Sequence, residues 1–509
     1  MLQKSKELFD SWNQHSMTYI HWKGNDHLDE GLNGDTDLDV LLAEKDREAG
    51  CAILSEIGFV HFQSQFGSRY PNVEDWLGLD EATGRLLHLH LHFALMSGHP
   101  GIKEFELPWT KAALDTRIQD SGSKVFIMEP NLELVSLYTR LITKAKSNWV
   151  LAAIRGKFKI NKHFSKEIDY IKERVDWDKV SEIASRYYGS RHSVFTDIAR
   201  SEEMNSKQFL QLYAIVSKSM SGFRRVGAFS LAIKRSFFYV AFLLRRVLRN
   251  KMGVMLITRK IVNPGRGISV AIIGQDGSGK STVTTDIEKW LNWKIEACRF
   301  YLGSGEHYKS IFKLIINKAQ GFRKHEVKAP EAGQLSNTES ISPIRKKSLK
   351  NYISSVLFSL NCLSVSKRAY RIIKRSNGYC KKGGVALFDR FPQVQFEGIY
   401  DGPKIDDYRR KTGLDYLFVK YLAKRERSYL EKIQSYQPKL VFKLLLSPEL
   451  SLQRKPFENF EAIKKKAAIT SELSFPNSRV VMVDASQDYH SELLYIKRII
   501  WEELVAQSS

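Results

Sequence analysis

The stretch "VAIIGQDGSGKSTVTTDIEKWL", residues 270–291, decides how the second half of this chain folds. An apolar run breaks there into glycines, and the segment that follows contains neither glycine nor proline. A short apolar run that ends at glycines is typical of a buried strand, and an unbroken segment after it is typical of a helix. The stretch therefore predicts a strand, a glycine-rich turn and a helix in direct succession.

The turn matches the pattern G-x-x-x-x-G-K-[ST]. Glycines let backbone N–H groups converge on phosphate oxygens, and the start of a helix adds unpaired amides and a positive dipole end. The lysine of such a turn reaches the β and γ phosphates, and the hydroxyl after it can hold Mg²⁺. We therefore predict a nucleoside triphosphate site, with ATP and Mg²⁺ as its ligands. It comprises Gly274, Gln275, Asp276, Gly277, Ser278, Gly279, Lys280, Ser281 and Thr282.

A second stretch, "GGVALFDRF", supplies the carboxylate that a phosphate turn of this kind requires. Residues 385–388 predict a strand, and Asp389 stands at its end, where it can complete the Mg²⁺ shell with Ser281. Arg390 would then lie at the carboxyl edge of the sheet, where open α/β folds bind ligands. Its planar guanidinium suits a phosphate, and an ion pair with Asp389 is the alternative.

Further basic residues follow in "KLVFKLLLSPELSLQRK", which predicts a strand over residues 440–446 and then a helix that carries Arg454. Lys464, Lys465 and Lys466 lie on a charged segment after it. Phosphoryl transfer needs positive groups around the transferred group and the exclusion of water. These residues therefore predict a basic segment that folds over the triphosphate.

Together with "RAYRIIKRSNGYCKKGGVALFDRF" and "VVMVDASQ", these stretches resemble thymidylate kinases over about residues 267–504. The resemblance implies that Lys280 and Asp389 act in catalysis on bound ATP. It also implies that Asp276 meets the sugar of the acceptor, Arg390 grips the acceptor phosphate and Arg454 stabilises the transfer. A nucleotide or another phosphorylated small molecule is the implied acceptor.

Two departures leave the identity of the acceptor open. Ile272 and Ile273 replace the Phe-Glu pair that usually precedes the turn in that family, and "PQVQFEGIYDGPK" lacks the residues that meet thymine. A long basic insertion at residues 309–350 falls where acceptor-recognising segments lie in the family. The sequence therefore allows an acceptor bulkier than a mononucleotide.

The N-terminal stretch "YIHWKGNDHLDEGLNGDTDLDVLLAEKD" places Asp37 and Asp39 at the start of a predicted strand. Alternation along a strand puts both carboxylates on one face, where they can share metal ions. The region from about residue 19 to residue 128 resembles polymerase-β type nucleotidyltransferases. Asn25 replaces the usual second Gly or Ser of their phosphate turn, and no third carboxylate is evident. The resemblance implies either an active transferase or a relic.

The stretch "LLHLHLHFAL" alternates leucines with His88, His90 and His92 on a predicted strand. These imidazoles form either a merely polar sheet face or a transition-metal site that includes Asp37 or Asp39. Spare acidic residues precede this strand and are predicted to lie in a loop; they are Glu74, Asp75, Asp80 and Glu81.

The 509 residues carry 79 Lys and Arg against 56 Asp and Glu, a net charge of +23 that favours an anionic partner. A basic segment with apolar residues at 224–251 either packs on a neighbouring domain or contacts an anionic membrane. Nucleic acid is the less favoured partner. The four cysteines lack metal-ligand spacing, and no stretch resembles a signal peptide or a membrane span. We therefore expect a cytoplasmic protein that can lie at the inner face of the membrane.

These patterns predict an α/β protein of three parts. Residues 1–128 form a nucleotidyltransferase-like mixed sheet, residues 129–262 form a helical extension and basic linker, and residues 267–509 form a P-loop parallel sheet flanked by helices. The predicted function is phosphoryl transfer from ATP to a nucleoside monophosphate-like acceptor. One alternative is a nucleotidyltransferase and kinase that acts on a sugar or a lipid-linked glycan in surface polysaccharide synthesis. The other is an ATP-gated binding module without catalysis.

Overall fold

The computed structural model describes residues 1–65, 69–227, 230–240, 243, 260–302, 349–405, 414–457 and 459–508. The predicted basic insertion at 309–350 lies outside the described residues up to residue 348. The basic segment at 224–251 lies partly outside them as well.

The N-terminal unit is built on an eight-stranded mixed sheet with the strand order β10-β3-β4-β5-β2-β1-β9-β8. Strand β2 runs parallel to β5, and β1 runs parallel to β9, whereas the other neighbours are antiparallel. The strands are β1 (Tyr19–His21), β2 (Leu38–Leu42), β3 (Val60–Ser64), β4 (Val73–Asp80), β5 (Arg85–His92), β8 (Ile118–Gln119), β9 (Phe126–Ile127) and β10 (Ile261–Val262); β6 (Met96–Ser97) and β7 (Phe105–Glu106) form a separate ribbon.

Helices cover this sheet and continue into a helical layer. The apolar face of the first helix packs Leu8, Phe9 and Trp12 against the sheet in one buried cluster. Residues 131–142 of the fifth helix are all buried, so that helix forms the centre of the layer. The helices are α1 (Gln3–Gln14), α2 (Leu28–Leu32), α3 (Arg47–Glu56), α4 (Thr110–Asp115), α5 (Pro130–Thr143), α6 (Ser147–Ile154), α7 (Lys162–Lys172), α8 (Trp177–Tyr188), α9 (His192–Arg200) and α10 (Ser206–Ser219).

The C-terminal unit is a five-stranded sheet, parallel throughout, with the order β12-β13-β11-β14-β15. Its strands are β11 (Ser269–Gly274), β12 (Ala297–Phe300), β13 (Val385–Asp389), β14 (Leu440–Leu445) and β15 (Arg479–Asp484). Its helices are α11 (Lys280–Leu291), α12 (Leu349–Cys380), α13 (Leu414–Gln434), α14 (Pro448–Arg454), α15 (Phe460–Glu472) and α16 (Tyr489–Ala506). The predicted mixed α/β class is therefore confirmed, with parallel strands and flanking helices in this half; the nucleotidyltransferase-like arrangement of the other half stays a prediction.

The two units pack against each other. Strand β10 joins the edge of the N-terminal sheet by pairing with β3, although the sequence assigned residues 261–262 to the helical extension and linker. The ring of Phe62 stacks on the ring of Trp501 from α16, with centroids 6.2 Å apart. Both rings belong to one buried cluster that continues into the parallel sheet. The interface is therefore apolar, as in the core of a single domain.

The described part of the chain contains no helix that is both long enough and apolar enough to cross a bilayer.

Candidate functional site

The glycine-rich turn lies in the middle of the parallel sheet, where β11 ends between β13 and β14. Gly277 and Gly279 have φ values of 83° and 85°, which favour glycine because other residues are strained there. A Cβ on Gly274 would lie 2.8 Å from the carbonyl oxygen of Leu444, whereas a Cβ on Gly279 would meet nothing within 4 Å. The turn is therefore packed tightly on β14 and open on the side of Gly279, as a cradle for an anion must be.

Lys280 begins α11 and points back into the turn. Its side chain is buried, and Nζ donates a hydrogen bond to the carbonyl oxygen of Gln275 at 2.6 Å. Burial lowers the pKa of Lys280 to about 8, although the carboxylates of Asp276 and Asp389 act in the opposite direction. The ammonium group thus lies where phosphate oxygens would replace a carbonyl as its acceptor.

Ser281 and Asp389 meet at the carboxyl ends of the strands. The Ser281 hydroxyl donates to Oδ2 of Asp389 at 2.7 Å, and the guanidinium of Arg299 donates to the same oxygen at 2.8 Å. Oδ1 of Asp389 is buried and has no partner among the described residues. A hydroxyl beside a carboxylate with a spare oxygen is a donor set that suits Mg²⁺.

Arg299 is a site residue that sequence reasoning missed. It lies on β12, which is parallel to β13 and ends at the same edge of the sheet. The run "ACRF" could have indicated this residue, because it forms a strand with an arginine near its carboxyl end. Neighbouring strands of a parallel sheet bring their carboxyl ends together.

Arg390 does not pair with Asp389, the alternative considered from the sequence. Its guanidinium lies 3.6 Å from Oδ1 of Asp276, on the turn, and Lys466 of α15 also pairs with Asp276. Burial acts to raise the pKa of Asp276, but Lys466, Lys280 and Arg390 hold that pKa below its ordinary value. Arg390 has a φ of 84°, a strained value for a residue with a side chain, of the kind that clusters at functional sites.

The other predicted residues of the turn surround this centre. Gln275 donates to the carbonyl of Leu446, and the Ser278 hydroxyl is buried with no partner among the described residues. Thr282 is exposed on α11. The guanidinium of Arg454, on α14, donates to the carbonyl oxygens of Gly277 at 3.4 Å and Ala485 at 3.2 Å. Arg454 therefore contacts the backbone of the turn at Gly277.

The basic segment on α15 reaches the turn through one residue. Lys466 pairs with Asp276, whereas Lys464 and Lys465 are exposed on the same helix. The structure thus brings together Lys280, Ser281, Asp389, Arg390 and Asp276, and their catalytic and binding roles stay predictions.

A second cluster of polar groups lies in the N-terminal sheet. Asp39 on β2 is opposite His90 on β5, and His90 is opposite Asp75 on β4, so three strands place the three side chains in one row. The expectation of a loop around Asp75 is wrong, because residues 73–80 form β4. His88 and Asp37 lie beside this row, with Nδ1 of His88 2.8 Å from Oδ1 of Asp37.

The imidazoles of this cluster contact the carboxylates directly, so the face is more than merely polar. Burial acts to lower the pKa of His90, but its contacts with Asp39 and Asp75 raise that pKa to about 9. Burial lowers the pKa of His92 to about 3, although Nε2 lies 3.3 Å from Asp39.

Two lysines compensate the aspartates that the sequence singled out. Lys23 pairs with Asp39 at 2.7 Å, and Lys294, which follows α11 in the other unit, pairs with Asp37. Burial acts to raise the pKa of Asp39, but Lys23 and the imidazoles hold it well below its ordinary value.

The phosphate turn of the N-terminal unit is also engaged internally. The N–H of Gly24 donates to Glu167 of α7 at 3.3 Å, and the side chain of Asn25 contacts His21 at 2.6 Å. A carboxylate thus already accepts the N–H of Gly24, and lysines already pair with Asp37 and Asp39. Asp37 and Asp39 each face an imidazole, of His88 and His90, whereas Mg²⁺ prefers a shell of oxygen atoms. The pair therefore does not fit the Mg²⁺ site that the nucleotidyltransferase resemblance implies.

Comparison with known proteins gives relatives for slightly less than half of the chain. No sequence model of a known protein family matches it. The "Uncharacterized ATP-binding protein YghR" of Escherichia coli (strain K12) is 30% identical over 228 residues, 44% of this chain and 83% of that protein. The "Uncharacterized ATP-binding protein YghS" of the same strain is 29% identical over 220 residues, 42% of this chain and 84% of that protein.

Among solved structures, a deoxyadenosine kinase from M. mycoides with bound dATP is 14% identical and covers 46% of this chain and 98% of its own. Its TM-score is 0.23, a value too low to support a structural argument. The relationship to YghR is different in kind, because it extends over most of the length of that protein at 30% identity. The chain therefore belongs to the family of the Escherichia coli protein YghR.

Proposed function

We propose that this protein is an ATP-dependent phosphotransferase. Its C-terminal unit binds Mg·ATP at residues 274–282 and transfers the γ-phosphoryl group to an acceptor that itself carries a phosphate, in the class of nucleoside monophosphates. One observation carries the proposal: a phosphate cradle with Lys280 inside it lies beside an arginine, Arg390, that Asp276 holds at the edge of the sheet.

The ATP end of the site is supported by the open cradle at Gly279 and the buried ammonium of Lys280. The relatives in this family bear names that describe them as ATP-binding proteins. Ser281 and Asp389 would hold Mg²⁺, which when bound neutralises charge on the phosphates and orients them. Lys280 supplies a further fixed positive charge in a site from which water is partly excluded.

The acceptor end is supported by Arg390. About half of its side chain is exposed at the carboxyl edge of the sheet, and its guanidinium can bind a phosphate through two parallel hydrogen bonds. Asp276 orients the guanidinium and stands between the cradle and the acceptor. A protein that only senses ATP has no need of a second anion-binding group at this position.

A small cavity lies in the same unit, and Pro392, two residues after Arg390 in the chain, is part of its lining. It has a volume of about 220 Å³, and its lining includes Pro392, Ser366 and Glu426. Asp401 also lines it, and Oδ2 of that residue is buried with no partner among the described residues. These groups favour an acceptor that offers hydrogen-bond donors at the end opposite its phosphate.

The experiment that tests the proposal is an acceptor screen with ATP labelled in the γ position. Transfer of label to one or more nucleoside monophosphates, lost in Lys280→Ala but retained in Lys289→Ala, would support it. Lys289 is an exposed residue of the same helix and makes a suitable control. Tight binding of ATP without transfer to any acceptor would instead indicate the gated binding module.

A second candidate is a kinase for a sugar or a lipid-linked glycan at a membrane surface. Residues 230–240 form a helix on which Ile233, Phe237 and Val240 are 54%, 51% and 53% exposed. These positions recur at helical spacing, and Lys234 lies among them, a combination that favours an anionic bilayer surface.

The same screen distinguishes this candidate. Label that appears only on sugar phosphates or glycan lipids, together with sedimentation on vesicles that contain anionic lipid, would favour it. Nucleotidyl transfer that is lost in a variant carrying Asp37→Asn and Asp39→Asn would make the protein bifunctional.

A further inference from the structure

We propose that Asp37, His88 and His90 bind one divalent transition-metal ion in the N-terminal unit, and that Asp75 fixes the two imidazoles from the side away from the ion. The inference is independent of the function proposed for the C-terminal unit, because none of these residues belongs to that unit.

The first observation is convergence. Asp37, His88 and His90 each offer a ligand atom, and these atoms all lie within 4.8 Å of one another. They come from the segment before β2 and from two positions of β5, so the fold and not a single loop brings them together. Ligands about 2.1 Å from a common ion lie roughly 3–3.5 Å apart, so only small side-chain movements are needed.

The second observation concerns the orientation of the rings. Nε2 of His88 and Nε2 of His90 both lie 3.1 Å from Oδ1 of Asp75. Asp75 is buried, and its other oxygen, Oδ2, accepts from the Ser64 hydroxyl. Asp75 is thus placed to accept an N–H from each ring. A carboxylate behind an imidazole is the usual partner that orients a metal-binding histidine.

With Nε2 turned to Asp75, the Nδ1 atoms face the other carboxylates. Nδ1 of His88 lies 2.8 Å from Oδ1 of Asp37, and Nδ1 of His90 lies 3.4 Å from Oδ1 of Asp39. Two nitrogen atoms directed at two carboxylates form an arrangement that a cation stabilises. Asp39, which Lys23 and His92 also contact, lies next to the three proposed ligands.

The chemistry of the donors selects the class of metal. Imidazole nitrogen suits zinc, copper, iron and nickel, whereas Mg²⁺ prefers a shell of oxygen atoms. A site with two imidazoles and one or two carboxylates therefore favours Zn²⁺ and related first-row ions over Mg²⁺. This also explains why the cluster does not match the acidic pair implied by the nucleotidyltransferase resemblance.

The third observation is that a positively charged side chain already lies beside Asp37, one of the proposed ligands. Lys294 pairs with Asp37, and about a fifth of its side chain is exposed. A flexible lysine at the open side of the cluster can withdraw to solvent when an ion enters. His88 and Asp75 close the opposite side, since both side chains are less than a tenth exposed.

The test uses the full chain, stripped with a chelator and kept free of nucleotide. Zn²⁺ is titrated against a chromogenic chelator, and Co²⁺ is used to report imidazole ligation by its visible absorption. We expect one tightly bound ion per chain. The variant with His88→Gln and His90→Gln should bind Zn²⁺ at least 100-fold more weakly, and Asp75→Asn should weaken binding by about 10- to 100-fold.

Two controls locate the ion. His61→Gln removes an exposed histidine that stacks on Trp76 of the same sheet, and Asp389→Asn removes the carboxylate of the phosphate cradle. Both should retain the ion. If the double histidine variant does not fold, as judged by circular dichroism, Asp37→Asn replaces it, because Asp37 lies at the open side. Absence of a tight ion in the native chain, or equal affinity in Asp37→Asn and the native chain, would overturn the proposal.

Discussion

Lys294 of the C-terminal unit forms an ion pair with Asp37 of the N-terminal unit. The residue before it, Trp293, lies edge-to-face on His88 with ring centroids 6.4 Å apart. Both residues follow Asn292, the residue after α11, and α11 begins at the phosphate cradle. One short stretch of chain therefore connects the two candidate sites.

Removal of this ion pair should tighten metal binding in the N-terminal unit. Lys294→Ala deletes a cation that competes for Asp37, and a partly exposed pair of this kind is worth about 1 kcal/mol or less. We therefore expect the affinity for Zn²⁺ to rise by up to about fivefold in the chelator competition assay. Lys289→Ala, which alters an exposed pair with Asp286, should leave the affinity unchanged. Weaker binding in Lys294→Ala would show that Lys294 helps to form the cluster instead of competing for it.

Loss of the cradle lysine should slow phosphoryl transfer strongly without loss of the fold. Lys280→Ala removes the positive group inside the turn, and the loss of one such group typically lowers kcat by about 10²- to 10³-fold. The measurement is the rate of transfer from γ-labelled ATP to the acceptor found in the screen, with circular dichroism as the check on folding. An unaltered rate in Lys280→Ala would remove the phosphotransferase assignment.

The affinity for ATP should fall as the pH rises above about 8. Burial lowers the pKa of Lys280 to about 8, against the opposing effect of Asp276 and Asp389, while Arg390 and Lys455 lower it further. Below this pH Lys280 of the free protein is already protonated, which is the state that binds the triphosphate. Above it, binding must take up a proton, so the dissociation constant should rise by up to about tenfold per pH unit.

Calorimetric titration of ATP between pH 7 and pH 9.5 measures this dependence. Lys280→Arg provides the control, since a guanidinium stays charged over the whole range and its dissociation constant should change little. A dissociation constant of the native protein that stays flat across this range would contradict the assigned role of Lys280.

Removal of the arginine at the edge of the sheet should impair use of the acceptor and spare ATP binding. Hydrogen bonds to charged groups are worth about 1.5–3 kcal/mol, so Arg390→Ala should lower kcat/KM for the acceptor by roughly 10- to 100-fold. Arg390→Lys should recover only part of this loss, because it lacks the planar fork. Arg427→Ala, at a partly exposed arginine that pairs with Glu397, is the control. If Arg390→Ala weakened ATP binding as much as it lowered kcat/KM for the acceptor, Arg390 would belong to the ATP end of the site.

The packing between the units should make a large contribution to stability. Trp501 is buried against Phe62, and truncation of a buried tryptophan to alanine typically costs about 3–5 kcal/mol. Trp501→Ala should therefore lower the denaturant midpoint of the whole chain. Tyr495→Ala, on the same helix at a side chain that is 45% exposed, should change the free energy of unfolding by about 0.5 kcal/mol or less. A separate early transition of only one unit in Trp501→Ala would show that the units fold independently.

The sequence predicted the elements whose signals are local. The strand, turn and helix around Gly274 and Lys280 could be predicted because glycine conformation, apolar runs and helix starts each act within a few residues. The strand that ends at Asp389 followed from the same kind of pattern. The placement of Asp37 and Asp39 on one face followed from the alternation of a strand.

The tertiary structure alone decided which charges meet. Arg299 at Asp389, Lys466 at Asp276, Asp75 behind His88 and His90, and Lys294 at Asp37 join residues that are distant in the chain. Strand order, strand register and helix packing determine these contacts, and within the sheets a one-residue change of register would turn each side chain to the other face. Local propensity carries no information about register between distant strands. The sequence by itself therefore determined the presence of a phosphate cradle and an aspartate pair, and only the folded chain determined the partners that set their charge.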